Sequence, residues 1–393
     1  MVNTVSKAFN IGRLMAAVFL CVCLLSGTGS AAAMREPSLT AEAAIVVEAS
    51  TGRVVYEKNA DRLMYPASLT KMMTCILAIE NASMDSTVVI SPNAAATEDT
   101  WLDESAGRAI RMGDLVDEMM IISDNGAAVA IAEQMASSVP AFAEKMTKKA
   151  QAIGASKTRF ANPNGLTEMN HVTTARDMMK IARYGWNIPE FRRITGQRKK
   201  DIYFQSPREL ALSVETTNEL LGVYPGMAGI KTGWTNAAGG CFAGAATHGN
   251  VTLISIVLNA PDTKDRFNDT VKLMDYGFSR VRVVKGPVKE QIQKNVWVHD
   301  GTTYKVTAHP RDDIKYVLFD NERQDRCSYH LDMPRFIHAP IKAGDKVGDL
   351  VITYDGKEMG RIDMIADDSM GEGFSPIGKL MGFAELLLSP ILG

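Results

Sequence analysis

The stretch that most constrains this chain runs from Tyr65 to Thr74 and reads Tyr-Pro-Ala-Ser-Leu-Thr-Lys-Met-Met-Thr. Its apolar continuation predicts a buried helix that begins near Ser68, with Pro66 just ahead of the first turn, where a missing backbone N–H costs little. Ser68 and Lys71 are three residues apart, so their side chains share one helix face. Burial and the positive end of the helix dipole both disfavour the ammonium form of Lys71. One interpretation is a base beside a nucleophile; the ordinary alternative is a capping serine with a lysine in the first turn.

Two motifs further along the chain favour the catalytic interpretation. Ser123-Asp124-Asn125 follows at a predicted turn between two helices, and Lys231-Thr232-Gly233 lies in a predicted strand. The set S-x-x-K, S-D-N and K-T-G is typical of serine β-lactamases and penicillin-binding proteins. In such a set Ser123 can relay a proton between the two lysines, and the side-chain amide of Asn125 can bind a peptide carbonyl of the substrate.

The third motif has the chemistry of a carboxylate site. Lys231 and Thr232 offer a charge and a hydroxyl to a carboxylate, and Gly233 lacks the side chain that would keep a substrate off the strand edge. The backbone N–H groups of Ser68 and Trp234 are predicted oxyanion-hole donors. The sequence therefore predicts three catalytic and five substrate-binding residues: Ser68, Lys71 and Ser123, and Asn125, Lys231, Thr232, Gly233 and Trp234.

With these motifs in place, the chain resembles the low-molecular-mass penicillin-binding proteins that are serine-type D-alanyl-D-alanine carboxypeptidases. The resemblance covers nearly all of the chain after the N-terminal segment and includes Pro66–Thr74, Asn162–Leu166, His171–Met178, Gly229–Thr235 and Ile341–Gly348. It implies an enzyme that removes the terminal D-Ala from peptidoglycan stem pentapeptides ending in D-Ala-D-Ala, through an acyl-enzyme on the serine of the first motif. It also implies covalent inhibition by β-lactams.

Two alternatives remain at this point. A serine β-lactamase of class A needs an added glutamate for deacylation, and Glu168-Met169-Asn170 is a poor match for the E-x-x-L-N segment that such enzymes carry. A catalytically silent cell-wall-binding protein is disfavoured because all three motifs are intact. His171 and Asp177 precede and enter a predicted helix, and we interpret both as structural.

Residues 1–33 have the features of a secretory signal peptide. Lys7 and Arg13 precede the apolar run Leu14–Leu25, and Ala31-Ala32-Ala33 is an A-x-A type cleavage site. An uncleaved anchor is the alternative. We therefore expect an exported protein at the outer face of the bacterial cytoplasmic membrane.

Composition excludes some partners and cofactors. A formal net charge of −2 without a long basic run argues against nucleic acid as a partner. The six histidines are scattered without metal-ligand spacing, so neither a metal nor another cofactor is predicted. Cys75 and Cys241 lie inside apolar runs and are expected to be buried thiols.

The pattern of predicted elements divides the chain into domains. Residues 34–284 have strands at both ends and helices between them, which predicts an α+β catalytic domain of the serine β-lactamase/DD-peptidase type, with one antiparallel sheet and a helical insertion. Residues 285–370 contain short strands separated by turn residues and are predicted to form a small all-β domain. Residues 371–393 carry apolar residues at helical spacing, which favours an amphipathic helix lying in a membrane interface. A docked terminal helix or a disordered end is the alternative.

Overall fold

Helices and strands alternate irregularly over the first part of the chain. The computed structural model describes residues 35–320 and 322–373, together with positions 376 and 380. Up to residue 280 the elements are, in chain order, β1 (Ala43–Glu48), β2 (Val54–Lys58), a 3-10 turn (Ala67–Thr70), α1 (Lys71–Asn81), β3 (Thr87–Val89), α2 (Pro92–Ala95), β4 (Ala109–Arg111), α3 (Met112–Ile121), α4 (Asn125–Met135), α5 (Val139–Ala152), α6 (Ala175–Trp186), α7 (Pro189–Thr195), β5 (Lys199–Gln205), β6 (Arg208–Glu215), β7 (Met227–Thr235), β8 (Gly239–His248), β9 (Val251–Ala260) and α8 (Asp265–Arg280).

A five-stranded antiparallel sheet lies at the centre of this part, in the order β2-β1-β9-β8-β7. Successive side chains of a strand point to opposite faces of the sheet. In β1, Ile45 and Val47 enter one hydrophobic cluster with α1, whereas Ala44 and Val46 enter a second cluster with α8. The sheet is therefore covered on both faces, which explains why β1 is apolar at nearly every position. The predicted α+β class is confirmed.

A second sheet was not predicted. Strands β3, β4, β5 and β6 form a separate four-stranded antiparallel sheet, of which β5 and β6 make a hairpin. The sequence pattern predicts one sheet in this domain and no element at the hairpin. Charged residues dominate the exposed positions of β5 and β6, including Lys199, Asp201 and Glu215, so their apolar alternation is too weak to mark strands.

The chain after residue 280 is built of strands. These are β10 (Val281–Lys285), β11 (Lys294–His299), β12 (Lys305–Pro310), β13 (Lys315–Phe319), β14 (Cys327–Asp332), β15 (Phe336–His338), β16 (Lys346–Tyr354) and β17 (Lys357–Ala366). Six of them form one sheet in the order β14-β16-β17-β12-β11-β15, and β10 pairs with β13. The sheet packs on a core of its own that includes Val296, Val306, Leu350 and Met364. The predicted all-β domain is confirmed as a fold.

Arg53, in the turn between β1 and β2, joins the two parts of the chain. Its guanidinium donates hydrogen bonds to both carboxylate oxygens of Glu322 and to the backbone oxygen of Val317. It also lies 4.0 Å from the ring centroid of Phe319. A bidentate ion pair of this kind fixes geometry more firmly than a single contact.

Two of the predictions concern the ends of the chain, which lie mostly outside the described residues. The predicted signal peptide, residues 1–33, lies outside the described residues, as does most of the predicted amphipathic segment 371–393. Within the described residues, no helix combines the length and the hydropathy that crossing a membrane requires.

Candidate active site

Ser68 lies in a 3-10 turn, one turn ahead of the helix in which the sequence placed it. The turn spans Ala67–Thr70 and the α-helix itself begins at Lys71. Ala67 has a φ of 48°, a left-handed conformation that few residues other than glycine adopt. This conformation turns the chain sharply before the serine, and Ser68 is left half-buried with its hydroxyl lining an open cleft.

Lys71 is fully buried beside that serine. Its amine nitrogen lies 2.9 Å from the hydroxyl oxygen of Ser68, 2.7 Å from Oδ1 of Asn125 and 2.7 Å from the backbone oxygen of Asn164. Burial lowers the pKa of Lys71 to about 7, although the carboxylates of Asp124 and Asp99 oppose the shift. In about half of the molecules, Lys71 is therefore neutral near pH 7.

The partners of the amine decide where its lone pair points. The oxygens of Asn125 and Asn164 can only accept hydrogen bonds, so they take the two hydrogens of the neutral amine. The lone pair is then left facing the hydroxyl of Ser68, which can donate its proton. This arrangement is that of a general base beside a nucleophile.

The second motif forms one wall of the cleft. Asp124 caps α4 by accepting the backbone N–H of Ala127. This cap fixes Asn125, whose Oδ1 accepts from Lys71 and whose Nδ2 donates to the backbone oxygen of Glu98 at 2.8 Å. Ser123 has a φ of 73° and lines the cleft, but its hydroxyl forms no hydrogen bond with another described residue. Its role as a proton relay stays a prediction.

The third motif lies on the opposite wall, on β7. Gly233 is so close to the serine turn that a Cβ there would lie 3.1 Å from the backbone nitrogen of Ser68. The hydroxyl of Thr232 is 2.6 Å from that of Thr217, which the sequence analysis did not single out. Both threonines line the cleft, and Trp234 lines it with an indole that is 42% exposed.

Lys231 is buried beneath this wall. Its amine donates to the backbone oxygen of Thr232 at 3.0 Å, and only 1% of the residue is exposed. Burial lowers the pKa of Lys231 well below its ordinary value, and the nearby charges of Lys71 and Arg266 act in the same direction. The eight predicted residues thus come from three distant segments that the fold brings to one cleft.

Arg266 of α8 is a further cationic residue that the sequence analysis missed. Its guanidinium donates to the backbone oxygen of Gly233 at 2.8 Å, and only 7% of the residue is exposed. Its Nε has no hydrogen-bond partner among the described residues. A single arginine on an amphipathic helix carries no motif that could have marked it.

The loop Asn162–Leu166 closes the floor of the site. A Cβ on Gly165 would lie 2.0 Å from the backbone oxygen of Ala67, and the φ of Gly165 is 95°, so only glycine fits. The loop therefore packs directly on the serine turn and places the oxygen of Asn164 on Lys71. Only the family resemblance marks this segment in the sequence, since a backbone carbonyl has no sequence signal.

His171 supports this loop from behind. Its Nδ1 accepts the backbone N–H of Ala161 at 3.1 Å, so the ring proton lies on Nε2 and is donated to Thr70 at 2.7 Å. Burial lowers the pKa of His171 to about 4, which keeps the ring neutral. The carboxylate of Asp177 accepts from the backbone N–H of Lys157, so both residues make structural contacts.

The cleft between these walls has a volume of about 790 Å³, which suits a peptide of a few residues. Within the described residues, no group of three or more metal-binding side chains lies close enough together to hold an ion. A serine turn beside a buried lysine, facing an S-D-N wall and a K-T-G strand on an α+β fold, defines the class of active-site serine enzymes that includes penicillin-binding proteins and serine β-lactamases.

Comparisons with known proteins narrow this class. The sequence pattern of the D-alanyl-D-alanine carboxypeptidase family matches residues 30–262, and that of the C-terminal domain of penicillin-binding protein 5 matches residues 283–372. The D-alanyl-D-alanine carboxypeptidase DacF of Bacillus subtilis is 29% identical over 369 residues, covering 91% of this chain and 94% of that protein. DacC of Escherichia coli, also a D-alanyl-D-alanine carboxypeptidase, is 30% identical over 360 residues and 86% of each chain.

Solved structures agree with these matches. Penicillin-binding protein 5 from Haemophilus influenzae has a TM-score of 0.65 and 26% identity, covering 86% of this chain and 100% of that chain. Ampicillin-bound penicillin-binding protein D2 from Listeria monocytogenes has a TM-score of 0.56 and 32% identity over 62% of this chain and 100% of that chain. The chain belongs to the D-alanyl-D-alanine carboxypeptidase family.

Proposed function

We propose that this protein is an exported serine D-alanyl-D-alanine carboxypeptidase that trims the terminal D-Ala from peptidoglycan stem pentapeptides. The oxygen of Ser68 attacks the carbonyl carbon of the D-Ala–D-Ala bond while Lys71 accepts the hydroxyl proton. The C–N bond then breaks, and the departing amine takes a proton that returns through Lys71 and Ser123. Water hydrolyses the acyl-enzyme and releases the shortened peptide.

The observation that carries the proposal is the hydrogen-bond set of Lys71. The buried amine has a pKa of about 7, two carbonyl partners and one hydroxyl partner, that of Ser68. A lysine that only capped or stabilised a helix would keep its ammonium in water. Here the environment favours the neutral form at the one atom where a base is needed.

The opposite wall supports recognition of a free C-terminal carboxylate. The guanidinium of Arg266 is cationic, and Lys231 becomes cationic when its amine is protonated. The hydroxyl of Thr232 lines the cleft beside them. A carboxylate placed here would neutralise the buried charges and supply an acceptor for the unpartnered Nε of Arg266. Such a site favours cleavage of the last residue of a peptide.

β-Lactams combine a carboxylate with a reactive amide, so we propose that they acylate Ser68. The test is mass spectrometry of the intact protein after exposure to benzylpenicillin, together with an assay for D-Ala released from a pentapeptide. We expect a single adduct on the wild type and none on Ser68→Ala. Ser156→Ala, at an exposed position outside the cleft, is the matched control and should be labelled like the wild type. An adduct that persists in Ser68→Ala would remove Ser68 from this role.

A serine β-lactamase is the alternative that shares these motifs. The carboxylate of Glu168 accepts from the amide of Asn162 at 2.8 Å, and Glu168 is not among the described residues that line the cleft. This position supports slow deacylation, because the carboxylate of Glu168 does not face the acyl group. We expect the penicillin adduct to persist for many minutes after excess drug is removed. Release within seconds would favour the lactamase.

We also propose that residues 1–33 direct export and that residues 371–393 bind the outer face of the cytoplasmic membrane. The support is the signal-peptide pattern and the amphipathic spacing in the sequence. Flotation with vesicles of phosphatidylethanolamine and phosphatidylglycerol tests the second point. The mature chain should float with the vesicles, and a chain that ends at residue 370 should not.

A further inference from the structure

The cleft is electrically asymmetric about Ser68. Among the described residues that line it, the charged ones are Glu98, Asp99 and Arg266. Arg266 contacts Gly233 on the β7 wall, where Lys231 is also buried. The two carboxylates lie on the other wall, so negative and positive groups face the nucleophile from opposite sides.

Three contacts fix the position of the acidic wall relative to the nucleophile. The hydroxyl of Ser68 contacts Lys71 at 2.9 Å, Lys71 contacts Asn125 at 2.7 Å, and Asn125 donates to the backbone oxygen of Glu98 at 2.8 Å. One side chain, that of Asn125, therefore lies between the catalytic lysine and the backbone of Glu98. Both are exposed, and neither carboxylate forms a hydrogen bond or ion pair within the described part of the chain.

An independent feature of the same wall is the indole of Trp101. It lines the cleft and is 65% exposed, which is unusual for a tryptophan. Its backbone N–H donates to the buried carboxylate of Asp124, which also accepts from the hydroxyl of Thr100 at 2.9 Å. The motif residue that caps α4 thus fixes the backbone of Trp101, and the exposed indole lines the same cleft as the two carboxylates. An exposed aromatic ring with adjacent carboxylates can bind an ammonium group.

We propose that Trp101, Glu98 and Asp99 form a subsite for the free ammonium of the diamino acid that precedes D-Ala-D-Ala in a stem peptide. The inference rests on the proposed function, because it places the C-terminal carboxylate on the Lys231 side of Ser68. A stem peptide has a carboxylate at its end and an ammonium on the third residue's side chain. The polarity of the cleft matches that order. The enzyme therefore prefers peptides that are not cross-linked through this amine.

The test compares two synthetic substrates, Nα-acetyl-L-Lys-D-Ala-D-Ala and its Nα,Nε-diacetyl form. They differ only in the charge and acetyl group on the lysine side chain. We expect the wild type to have a kcat/KM about tenfold higher for the free ammonium, since exposed ion pairs and cation–π contacts each contribute a factor of a few. The preference should shrink at high salt, because exposed charges are screened.

Two variants test which residues cause the preference for the free ammonium. In the double variant Glu98→Gln with Asp99→Asn, the ratio of the two kcat/KM values should fall to near one. Asparagine keeps the left-handed backbone that Asp99 adopts with a φ of 53°. Trp101→Leu should lower the ratio by a smaller factor. The control Asp103→Asn with Glu104→Gln removes two exposed carboxylates of the same loop that do not line the cleft, and its ratio should equal that of the wild type.

The ratio is the readout because Asp99 also acts on Lys71 and changes both rates together. Equal kcat/KM values for the two peptides on the wild type would overturn the subsite and leave the carboxypeptidase intact. A preference that survives in the double variant would overturn it as well. If neither peptide releases D-Ala and penicillin leaves no adduct on Ser68, the proposed function fails and the subsite with it.

Discussion

The backbone oxygen of Asn164 lies 2.7 Å from the amine nitrogen of Lys71. This contact brings a loop from beyond α5 onto the catalytic lysine and fills the second acceptor position that the neutral amine requires. Without it, one hydrogen of the amine would be free to turn toward Ser68, and the lone pair would lose its direction. The contact depends on the close packing of the adjacent glycine against the serine turn.

Gly165→Ala is therefore expected to impair acylation. The new Cβ would lie 2.0 Å from the backbone oxygen of Ala67 and must displace the loop or the turn. Because a 1 Å misplacement of a catalytic group can cost on the order of 100-fold, we expect a loss of that size in the rate of penicillin acylation. Stopped-flow measurement with a fluorescent penicillin checks it.

Gly154→Ala is the matched control for this substitution. Gly154 has a φ of 84°, close to that of Gly165, but a Cβ there meets no atom within 4 Å. Both variants should lose about 1 kcal/mol of folding free energy from the left-handed backbone, and only Gly165→Ala should lose its acylation rate. An equal loss of acylation rate in both variants would show that backbone strain, and not the contact with Ala67, slows acylation.

The rate of acylation should rise with pH through about 7. Lys71 is a base only when neutral, and its pKa is lowered to about 7 by burial. Below that value the rate should fall about tenfold for each pH unit. Acylation measured from pH 5 to 9 checks the profile, and a rate that is flat over this range would contradict the role of Lys71.

Asp99→Asn should move the same inflection to lower pH. The Asp99 carboxylate favours the ammonium form of Lys71, so removing its charge lowers the pKa of the lysine further. Asp103→Asn removes a nearby exposed carboxylate that has no such effect on Lys71, and its profile should match that of the wild type. An inflection that moves upward in Asp99→Asn would show that the charge acts through another group.

Glu118 of α3 should weaken the fold as pH rises. Both its carboxyl oxygens are buried without a hydrogen-bond partner among the described residues. Burial raises the pKa of Glu118 well above its ordinary value, and the charges of Asp124 and Asp114 add to the shift. The folded state then keeps a proton that the unfolded chain loses above about pH 4.5, so stability falls by up to about 1.4 kcal/mol per pH unit between the two pKa values.

Glu118→Gln removes this titration. The variant should gain stability relative to the wild type as pH rises from 5 to 8, measured by urea unfolding. Glu144→Gln, at an exposed position of α5, is the control and should leave the pH dependence unchanged. A constant difference between Glu118→Gln and the wild type at all pH values would contradict a protonated Glu118.

His171 should make the fold sensitive to acid. Its pKa is about 4 in the folded state and about 6.5 in the unfolded chain, so stability is lost as pH falls between these values. At about 1.4 kcal/mol per unit, the loss approaches about 3 kcal/mol by pH 4. In His171→Gln this acid-dependent part should disappear from unfolding curves, although the variant is less stable at neutral pH. The control variant His330→Gln, at an exposed position of β14, should lose stability in acid as the wild type does.

The sequence could predict what depends on pattern and spacing. The serine and the lysine of the first motif lie within reach of each other, as their spacing predicts, and Cys75 and Cys241 are buried thiols as predicted from their apolar runs. The α+β class followed from the order of strands and helices. These features are local, or they repeat along the chain, so residues near in sequence are enough to reveal them.

What the sequence could not predict depends on long-range packing. The oxygen of Asn164 belongs to the backbone, and Arg266 is a lone cation on a helix, so neither differs in sequence from many residues without function. The hairpin of β5 and β6 is too polar for its alternation to show. The isolation of Glu118 follows from which side chains surround it, and only the folded structure determines that.

The three motifs that meet at Ser68 come from the start of the helical insertion of the central sheet, from its middle and from the strand that follows it. No partial structure that lacks one of these segments can assemble the nucleophile, its base and the facing strand together. Covalent capture of a fluorescent penicillin therefore counts molecules that have completed this domain, and it offers a direct readout of refolding yield.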